Sequence, residues 1–519
     1  MRHYRSMQSK GGAGVVLGLT SAGAGLAASE LVSGLLHLRL SPLVALSEWI
    51  IKLTPGPVIE FGIELLGQND KPVLIGLTLV GLILVSCLVG VVALRSLVLG
   101  QSIFLLMGVV LLLAVHEQLP SSVASFVPAV AGVGLAMVTL ALLTPKARAA
   151  VVSGTAAEPS LGGATEPAAR RDFLRLAGGL AIGAVVVGAT GRVLARSRAA
   201  LETARRGLNL AVTRGTKPAG AEVGLAGITP WRTSQERFYR IDTALSVPQI
   251  LPSEWRLRVH GSVDRELTLT YQDLAERQPT EAWVTLCCVS NEVGGDLISN
   301  AWWSGVRIAD VLAEAGVSAD ADAVLSTSED GWTCGTPLGP LTDDRNALFA
   351  IAMNGEPLTP EHGFPVRMVV PGLYGYVSAT KWVVDLEVTR FSEIEAFWTG
   401  NGWAEEGPVK TQSRIDVPMG GTTVKAGDVA VGGIAWAQHT GIAKVEVRVD
   451  GGAWQEAKLG SGSVTDAWRQ WAHVWSATVG DHQIQVRATD ASGYTQTGDE
   501  TGVKPDGATG WHTTDVTVS

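Results

Sequence analysis

The chain has 519 residues and a formal net charge of −9, and only 17% of its residues are charged. This length leaves room for two to four domains, and an acidic balance without a basic patch argues against nucleic acid as a partner. The mean hydropathy of +0.25 is high for a soluble protein, because apolar residues are concentrated in the first 200 positions. The remainder has the composition of a soluble, globular protein.

Cysteine is scarce, and the four residues are Cys87, Cys287, Cys288 and Cys334. None lies in a CxxC or CxxCH arrangement, which removes the strong sequence signals for zinc, thioredoxin-like exchange and c-type haem. The same scarcity argues against a disulfide framework. Cys87 falls in an apolar segment, where an inert packing role is expected.

The first 200 residues contain five apolar segments, and a membrane-spanning helix requires about 20 such residues. The segments lie at about 11–38, 73–94, 100–115, 123–143 and 176–194. The third is short and can extend backwards through residues 97–99. Small residues are frequent in all five, which suits close helix packing in lipid. The sequence therefore predicts four transmembrane helices within residues 1–145 and a fifth span within 170–198.

Lysine and arginine near the ends of these segments predict their orientation. All of the following fall on one side if every segment crosses: Arg2, Arg5, Lys10, Arg95, Lys146, Arg148, Arg170, Arg171 and Arg175. That side is then cytoplasmic, and the chain after about residue 195 lies on the extracytoplasmic side of a multi-pass protein of the cytoplasmic membrane. The external loop 39–71 contains a stretch, 43–66, that could lie on the membrane surface.

Residues 146–169 are rich in Ala, Gly, Pro and Ser, and predict a flexible linker. They lead into Ala-Arg-Arg-Asp-Phe-Leu-Arg at 169–175, which resembles a twin-arginine translocation signal. The Arg pair, Phe and Leu match that pattern, whereas Ala169 and Arg175 depart from it. Such a signal suits a protein that crosses the membrane already folded. A positive-inside flank of an ordinary span is the alternative interpretation.

Beyond a second predicted linker at 199–230, the pattern changes. Residues 231–415 mix short strands, turns and a few helices, which is typical of a mixed α/β domain. Residues 416–519 read as repeated strands, with strict alternation at 444–449 followed by an Asp-Gly-Gly hairpin turn. About 100 residues of this kind predict an immunoglobulin-like β-sandwich.

The segment Thr285-Leu-Cys-Cys288-Val-Ser-Asn291 resembles the Thr-Leu-x-Cys-x-x-Asn motif of the sulfite oxidase superfamily of molybdopterin enzymes, whose cysteine binds molybdenum. By this resemblance Cys288, and not Cys287, is the metal ligand, and Asn291 belongs to the cofactor site. The chemistry agrees, because a soft thiolate suits a redox metal and must be deprotonated to bind. A Cys-Cys pair taken alone favours buried structural cysteine.

The resemblance continues in the same order over about 100 residues. The matching segments are 300–312, 353–358, 362–372 and Lys381-Trp382. It implies that His362, Arg367 and Lys381 contact the pterin and its phosphate, since a buried phosphate needs positively charged donors. It also implies that Gly372 and Gly375 let the backbone approach the cofactor closely. For Arg367 alone, a strand residue paired with a local carboxylate is the alternative.

Arg240, in the segment Phe238-Tyr-Arg-Ile-Asp242, is the candidate for an arginine that reaches the metal or the substrate oxyanion in this family. The alternative for Arg240 is a surface salt bridge to Asp242 or Glu236.

Departures from the family pattern bear on the substrate. Glu292 and Val293 stand where animal sulfite oxidases have two arginines, and Trp403 replaces a sulfite-binding tyrosine. The loss of positive charge weakens the binding of a dianion, which argues against sulfite as the substrate. Tyr376 and Tyr374 could instead hydrogen-bond a bound oxygen.

The resemblance thus implies a mixed α/β domain of the sulfite oxidase type with a molybdenum–molybdopterin cofactor. The expected reaction is two-electron oxygen-atom transfer on a small oxyanion, a sulfoxide or a similar substrate. No haem-attachment motif is present, so we expect a separate electron carrier, a cytochrome or a quinone-linked protein, besides membrane lipid. A homodimer formed through the sandwich is a further expectation from the family.

Two other functions compete with this one. The first is reduction of a sulfoxide or N-oxide on the same cofactor. The second is a cofactor-free, membrane-tethered binding protein that uses its tryptophans and its sandwich domain. Haem ligation by His37 and His116 is a lesser hypothesis for the spans, since interfacial histidines are more often solvated.

Overall fold

The computed structural model describes residues 2–36, 41–55, 58, 70–117, 123–155, 168–195 and 198–519. The chain forms two compact units. The first consists of Met1–Ala200 with Ala244–Gln249, and the second of Leu201–Thr243 with Ile250–Ser519.

The first unit is helical. Its helices are α1 (Arg2–Leu35), α2 (Pro42–Leu53), α3 (Asp70–Arg95), α4 (Leu97–His116), α5 (Val123–Thr155) and α6 (Ala168–Ala195). Within the described residues, the segments long and apolar enough to cross a membrane are Gly11–Leu35, Val73–Arg95, Leu97–His116 and Val123–Val152. The four predicted apolar helices are therefore confirmed, and the third does extend back to Leu97.

The predicted linker at 146–169 is wrong over its first part, because α5 remains helical to Thr155. Ala147 and Ala150 are buried in the helical core, and the Arg148 guanidinium donates to the carbonyl oxygens of Ala93 and Leu94. Residues 156–167 lie outside the described residues, as do His37 and most of the stretch after Leu53.

The fifth predicted span falls on α6, but α6 is not among the described segments that are apolar enough to cross a membrane. Side chains in its second half lie outside the described residues. A fifth span therefore stays a prediction.

Glycine permits the close approach of α1 and α3. A Cβ added at Gly18 would lie 1.9 Å from the Ser86 oxygen, and one added at Gly90 would lie 1.9 Å from the Gly14 oxygen. Because both obstructing atoms belong to helix backbone, a side chain at either position would force the helices apart. This packing is the kind that small residues provide in lipid, where no hydrophobic effect draws helices together.

The second unit begins at Leu201, inside α7 (Arg198–Arg206). After α7 the described chain has no α-helix before its first strand. Leu201 and Ala221 are buried, and the Val223 and Thr229 amides donate to Gln470 and Asp416. The predicted linker at 199–230 is therefore wrong, since this segment is packed onto the second unit.

Residues 256–389 form one mixed sheet and one antiparallel sheet, with three short helices. The strands are β1 (Arg256–Gly261), β2 (Leu267–Thr270), β3 (Thr280–Cys287), β4 (Ile298–Arg307), β5 (Ala323–Ser328), β6 (Thr333–Pro337), β7 (Leu348–Met353), β8 (Glu356–Pro357), β9 (Arg367–Val369) and β10 (Val383–Thr389), and the helices are α8 (Tyr271–Ala275), α9 (Ile308–Ala315) and α10 (Leu338–Thr342). One sheet has the order β2-β1-β10-β5-β6, with β1 and β10 parallel. The other has the order β3-β4-β7-β8, with β9 paired to β7. This confirms a mixed α/β region, referred to below as the cofactor region.

The remaining residues form a β-rich region of two further sheets. Its strands are β11 (Gln412–Val417), β12 (Thr423–Val424), β13 (Gly427–Trp436), β14 (Ile442–Val449), β15 (Gln455–Glu456), β16 (Lys458–Leu459), β17 (Arg469–Ala477), β18 (Gly480–Asp490) and β19 (His512–Val518). The sheet orders are β11-β13-β17-β16 and β12-β19-β18-β14-β15. Strands of both sheets contribute to one buried core, for example Val431 and Trp471 from the first, and Val445 and Ile484 from the second. The boundary predicted at 415/416 falls inside β11.

Thr285 on β3 joins the cofactor region to the β-rich region. Its amide donates to the Asp466 carbonyl at 2.8 Å, and its carbonyl accepts from Gln438 Nε2 at 3.0 Å. Its hydroxyl accepts from the Trp468 amide at 2.8 Å and donates to Asn300 Oδ1 at 3.1 Å. Thr285 is only 2% exposed, so these partners have no water to replace them.

We expect Gly90→Ala to destabilise the helical unit by about 1–3 kcal/mol through overpacking against α1. Gly81→Ala on the same helix is the control, because a Cβ there meets nothing within 4 Å. Thermal unfolding of the full chain in detergent should show a lower midpoint for Gly90→Ala alone. Equal midpoints for the two variants would contradict the close packing.

Thr285→Val removes one hydroxyl and leaves the buried Trp468 amide without its acceptor, which should cost about 1–3 kcal/mol of unfolding free energy. Thr268→Val is the matched control, since Thr268 is an exposed strand residue on β2. Chemical denaturation checks both variants. A loss no larger than that of the control would show that Thr285 does not carry the junction.

Candidate active site

Cys288 opens the loop between β3 and β4. Its amide donates to the Leu297 carbonyl at 2.9 Å, and its carbonyl accepts from the Asn291 amide at 3.1 Å. Asn291 Oδ1 accepts from the Leu297 amide at 2.8 Å, so the motif asparagine closes the loop that carries the cysteine. Asn291 Nδ2 is buried and has no hydrogen-bond partner among the described residues.

The two neighbouring thiols differ in their surroundings. Burial raises the pKa of both. At Cys288 this effect is opposed by hydrogen bonds from the amide and hydroxyl of Ser290 and from the Val289 amide. At Cys287 the pKa is raised further by the Cys288 charge. Cys288 is therefore better suited than Cys287 to be the deprotonated ligand.

The predicted cofactor residues His362, Arg367 and Lys381 are brought together. Arg367 on β9 forms an isolated bridge with Lys381, and Gly363 lies between them. Gly363 has a φ of +102°, and a Cβ there would come 2.9 Å from Arg367 Cβ and 3.2 Å from Lys381 Cβ. Glycine is thus required for the turn that gathers these three side chains.

Arg367 is deeply buried, at 5% exposure, and burial lowers its pKa to about 10. Its guanidinium lies 5.2 Å from the centre of the Trp303 ring. It donates at the limit of hydrogen-bond distance to the carbonyls of Met368 and His362. No ion pair with Arg367 occurs in the described part of the chain, so the local carboxylate weighed as its alternative partner is not found.

His362 is neutral in this environment. Burial, followed by the charges of Arg367 and Lys381, lowers its pKa to about 4. Its Nε2 lies 2.8 Å from the Gln235 carbonyl oxygen, so a neutral ring donates there and leaves Nδ1 as an acceptor. His362 therefore orders the cation-bearing turn but adds no positive charge to it.

Arg240 and Lys381 share one carboxylate. Asp242 Oδ2 accepts from Arg240 Nε at 2.9 Å and from Lys381 Nζ at 2.7 Å. Arg240 is 42% exposed, whereas Asp242 is 3% exposed. The alternative predicted for Arg240, a salt bridge to Asp242, is thus present. Asp242 is buried, however, and also binds Lys381, the candidate cofactor-binding lysine.

Tyr239 links the two halves of the site, although the sequence did not single it out. Its pKa is raised well above the usual value, by burial first and then by the charges of Cys288 and Cys287. A Cβ added at Gly375 would lie 3.8 Å from the Tyr239 hydroxyl and 3.9 Å from the Cys287 carbonyl oxygen. Gly375 therefore lies beside the cysteine loop, but protein atoms alone do not require glycine there.

Tyr376 and Trp403 are neighbours, with ring centres 5.8 Å apart. The Tyr376 hydroxyl donates to the Ala404 carbonyl at 2.9 Å, so its proton is already engaged. Trp403 Nε1 is buried and has no hydrogen-bond partner in the described residues. Of these two, Trp403 keeps an unused donor.

Gly372, which the resemblance also placed near the cofactor, has a φ of +84°, and a Cβ there would lie 3.1 Å from His439 Cβ. Its nearest neighbours are thus His439 and Gln438 of the β-rich region and Arg345 of the cofactor region. Tyr374 is buried, and its hydroxyl accepts from the Lys410 amide at 3.4 Å.

The β-rich region also supports the far end of the cysteine loop. Arg414 Nη1 donates to the Gly295 carbonyl at 2.6 Å, while Arg414 Nε pairs with Asp416 at 2.7 Å. Gly294 has a φ of +80°, and a Cβ there would lie 2.3 Å from the His512 ring. Glu292 is exposed.

These residues fit a molybdenum cofactor. A phosphate-bearing pterin needs buried donors with positive charge: Arg367 is buried, makes only long hydrogen bonds to two carbonyls and has no ion pair in the described residues, and Asn291 Nδ2 has no partner there. A molybdenum ion needs a soft anionic ligand, which Cys288 supplies.

A family model described as oxidoreductase molybdopterin binding domain matches residues 244–398. An uncharacterized oxidoreductase of Bacillus subtilis, YuiH, is 38% identical over 155 residues, which are 30% of this chain and 75% of that protein. Mitochondrial sulfite oxidase of Rattus norvegicus is 34% identical over 280 residues, 44% of this chain and 51% of its own.

Among solved structures, the sulfane dehydrogenase SoxCD from Paracoccus pantotrophus aligns with 56% of this chain and 79% of its own. The sequence identity is 24% and the TM-score is 0.46, so the family of the chain does not rest on this structure. The chain spans about half the length of the sulfite oxidases that it matches. The molybdopterin-binding family model matches, and the chain covers three quarters of the Bacillus relative. The chain therefore belongs to the sulfite oxidase superfamily of molybdopterin-dependent oxidoreductases and is an enzyme that uses the molybdenum cofactor.

Proposed function

We propose that the enzyme carries out two-electron oxygen-atom transfer at a molybdenum centre held by Cys288. The observation that supports it is the pairing of a hydrogen-bonded Cys288 loop with buried cations and an unsatisfied Asn291 amide. When bound, the cofactor supplies two-electron redox chemistry and an exchangeable oxygen. The chain supplies the thiolate, the fixed position of the loop and the exclusion of water.

In this proposal each residue has a limited role. Arg367 and Lys381 hold the pterin phosphate, and Asn291 Nδ2 donates to the cofactor. Arg240 faces the substrate side, because it keeps 42% exposure despite its bond to Asp242. Trp403 offers its free Nε1 donor to a bound oxygen.

Reduction of a sulfoxide or an N-oxide is a second candidate for the same site. It is favoured by the neutralisation of Arg240 by Asp242 and by the acidic Glu292 where animal enzymes have arginine. Both reactions require a separate electron carrier, a cytochrome or a quinone-linked protein.

We further propose that the four apolar helices anchor a multi-pass protein, with the second unit on the extracytoplasmic side. The positive residues near the span ends support this orientation, and the twin-arginine-like segment suits export of a folded, loaded enzyme. The core shared by its two sheets, which are antiparallel except for the β12–β19 pair, supports an immunoglobulin-like assignment for the β-rich region. A homodimer through that region follows from family likeness alone.

We expect full-length wild-type protein from a cofactor-producing host to contain close to one molybdenum per chain by mass spectrometry. Cys288→Ser should lose the thiolate-to-metal absorption and most of the metal, because a hydroxyl is a poor ligand for it. Cys334→Ser is the control, since Cys334 is a buried cysteine on β6 whose thiol lies beside neighbouring hydroxyls. A metal-free wild-type protein would sink the enzyme mechanism and leave a tethered binding protein as the leading hypothesis.

Replacing Arg170 and Arg171 together by lysine should block export of the second unit if the segment is a translocation signal, because lysine keeps the charge and changes only the motif. Arg175→Lys should be exported normally. Protease digestion of spheroplasts measures this, since an exported second unit is degraded. Normal degradation in the double variant would instead favour the positive-inside interpretation.

A further inference from the structure

Asp242 is the only carboxylate, in the described part of the chain, that forms an ion pair with the candidate site cations. Its Oδ2 bonds to Arg240 and Lys381 at once. With 3% exposure it lies where water screens charge poorly. The net positive charge that the site presents to a substrate therefore depends on the Asp242 carboxylate.

We propose that Asp242 is a specificity-determining residue that makes the site favour uncharged S- or N-oxides over doubly charged oxyanions. This rests on the proposed oxygen-atom transfer and names its substrate class.

The net charge of the site side chains supports this proposal. Arg240, Lys381 and Arg367 bring three positive charges and Asp242 one negative charge, while His362 is neutral. The remaining two positive charges match the charge of about −1.5 to −2 on a phosphate monoester. Once the cofactor phosphate is held, no surplus remains to repay the desolvation of a dianion.

An uncharged oxide needs only hydrogen-bond donors for its polar oxygen, and the site retains such donors. Among the described contacts, Arg240 is engaged through Nε alone, which leaves its terminal nitrogens available. Trp403 Nε1 is buried without an acceptor. Both groups can donate to an S=O or N–O oxygen without needing a negative charge in return.

The proposed reaction is a two-electron reduction of the oxide. The S–O or N–O bond of the oxide breaks, two protons and two electrons are taken up, and a thioether or amine leaves together with water. The substrate is reduced, and a cytochrome or quinol carrier is oxidised. Reduced benzyl viologen replaces that carrier in the assay.

The test uses the full-length, molybdenum-loaded enzyme in detergent. Dimethyl sulfoxide and trimethylamine N-oxide are offered with reduced benzyl viologen, and sulfite with ferricyanide. Sulfate, a redox-inert dianion, is added as an inhibitor of oxide reduction. We expect the wild-type kcat/KM to be at least tenfold higher for one of the oxides than for sulfite, and sulfate to inhibit weakly.

Asp242→Asn removes one negative charge and keeps the shape. It should lower the inhibition constant of sulfate at least tenfold and raise kcat/KM for sulfite relative to kcat/KM for dimethyl sulfoxide. Asp242→Glu should restore the wild-type inhibition constant. The control is Asp320→Asn, which removes an exposed carboxylate that faces Arg390 at 3.6 Å and should change neither value.

A merely structural role for Asp242 would lower kcat for every substrate alike and leave the sulfate inhibition constant unchanged, which would overturn the proposal. A wild-type enzyme with a higher kcat/KM for sulfite than for either oxide would overturn it too. If Asp242→Asn loses its molybdenum, the wild-type comparison of sulfite with the oxides is the test. A loaded wild-type enzyme that neither oxidises sulfite nor reduces an oxide would instead refute the oxygen-atom transfer on which the proposal rests.

Discussion

The interior of the cofactor region holds charges that have to be balanced, and much of the site follows from this constraint. Arg367 and Lys381 are both almost inaccessible to solvent, and a buried cation without a counter-charge is costly. Within the described residues, Lys381 is paired with the Asp242 carboxylate, whereas Arg367 has no ion pair. Gly363 provides the turn and the space that bring these side chains together, and burial, followed by the two positive charges, lowers the pKa of His362 and keeps it neutral.

The metal-binding loop depends in turn on a part of the chain that is distant in sequence. Thr285 precedes Cys288 by three residues and bonds to Asp466, Trp468 and Gln438. At the other end of the loop, Arg414 holds the Gly295 carbonyl. The β-rich region is therefore a support for the reactive cysteine as well as a candidate surface for association.

Features fixed by local pattern could be predicted from the sequence. The apolar helices follow from composition alone, and the cysteine motif with its ordered downstream segments identified the cofactor family. The extension of α5 through residues 146–155 was missed, because small and breaking residues indicate a linker only where no neighbouring helix covers them. The same holds for 199–230, whose structure comes from contacts with strands more than 200 residues away.

The site was predictable by residue type and much less by environment. Arg367 and Lys381 were identified, but Asp242 was seen only as an alternative surface partner for Arg240, since burial cannot be read from a single acidic residue. Thr285 was part of the motif, yet nothing local shows that its hydroxyl crosses to Trp468. Tyr376 has the right type for a donor to oxygen, but its proton is used by a nearby carbonyl.

His512 belongs to β19, the last strand of the chain, and its ring packs against Gly294 in the loop that carries Cys288. Its Nδ1 also accepts from the Ile415 amide, so it is fixed within the β-rich region. The loop therefore has its full support only after β19, which is distant in sequence, has folded against it. The candidate metal site is therefore completed by long-range folding and not by the local sequence around Cys288.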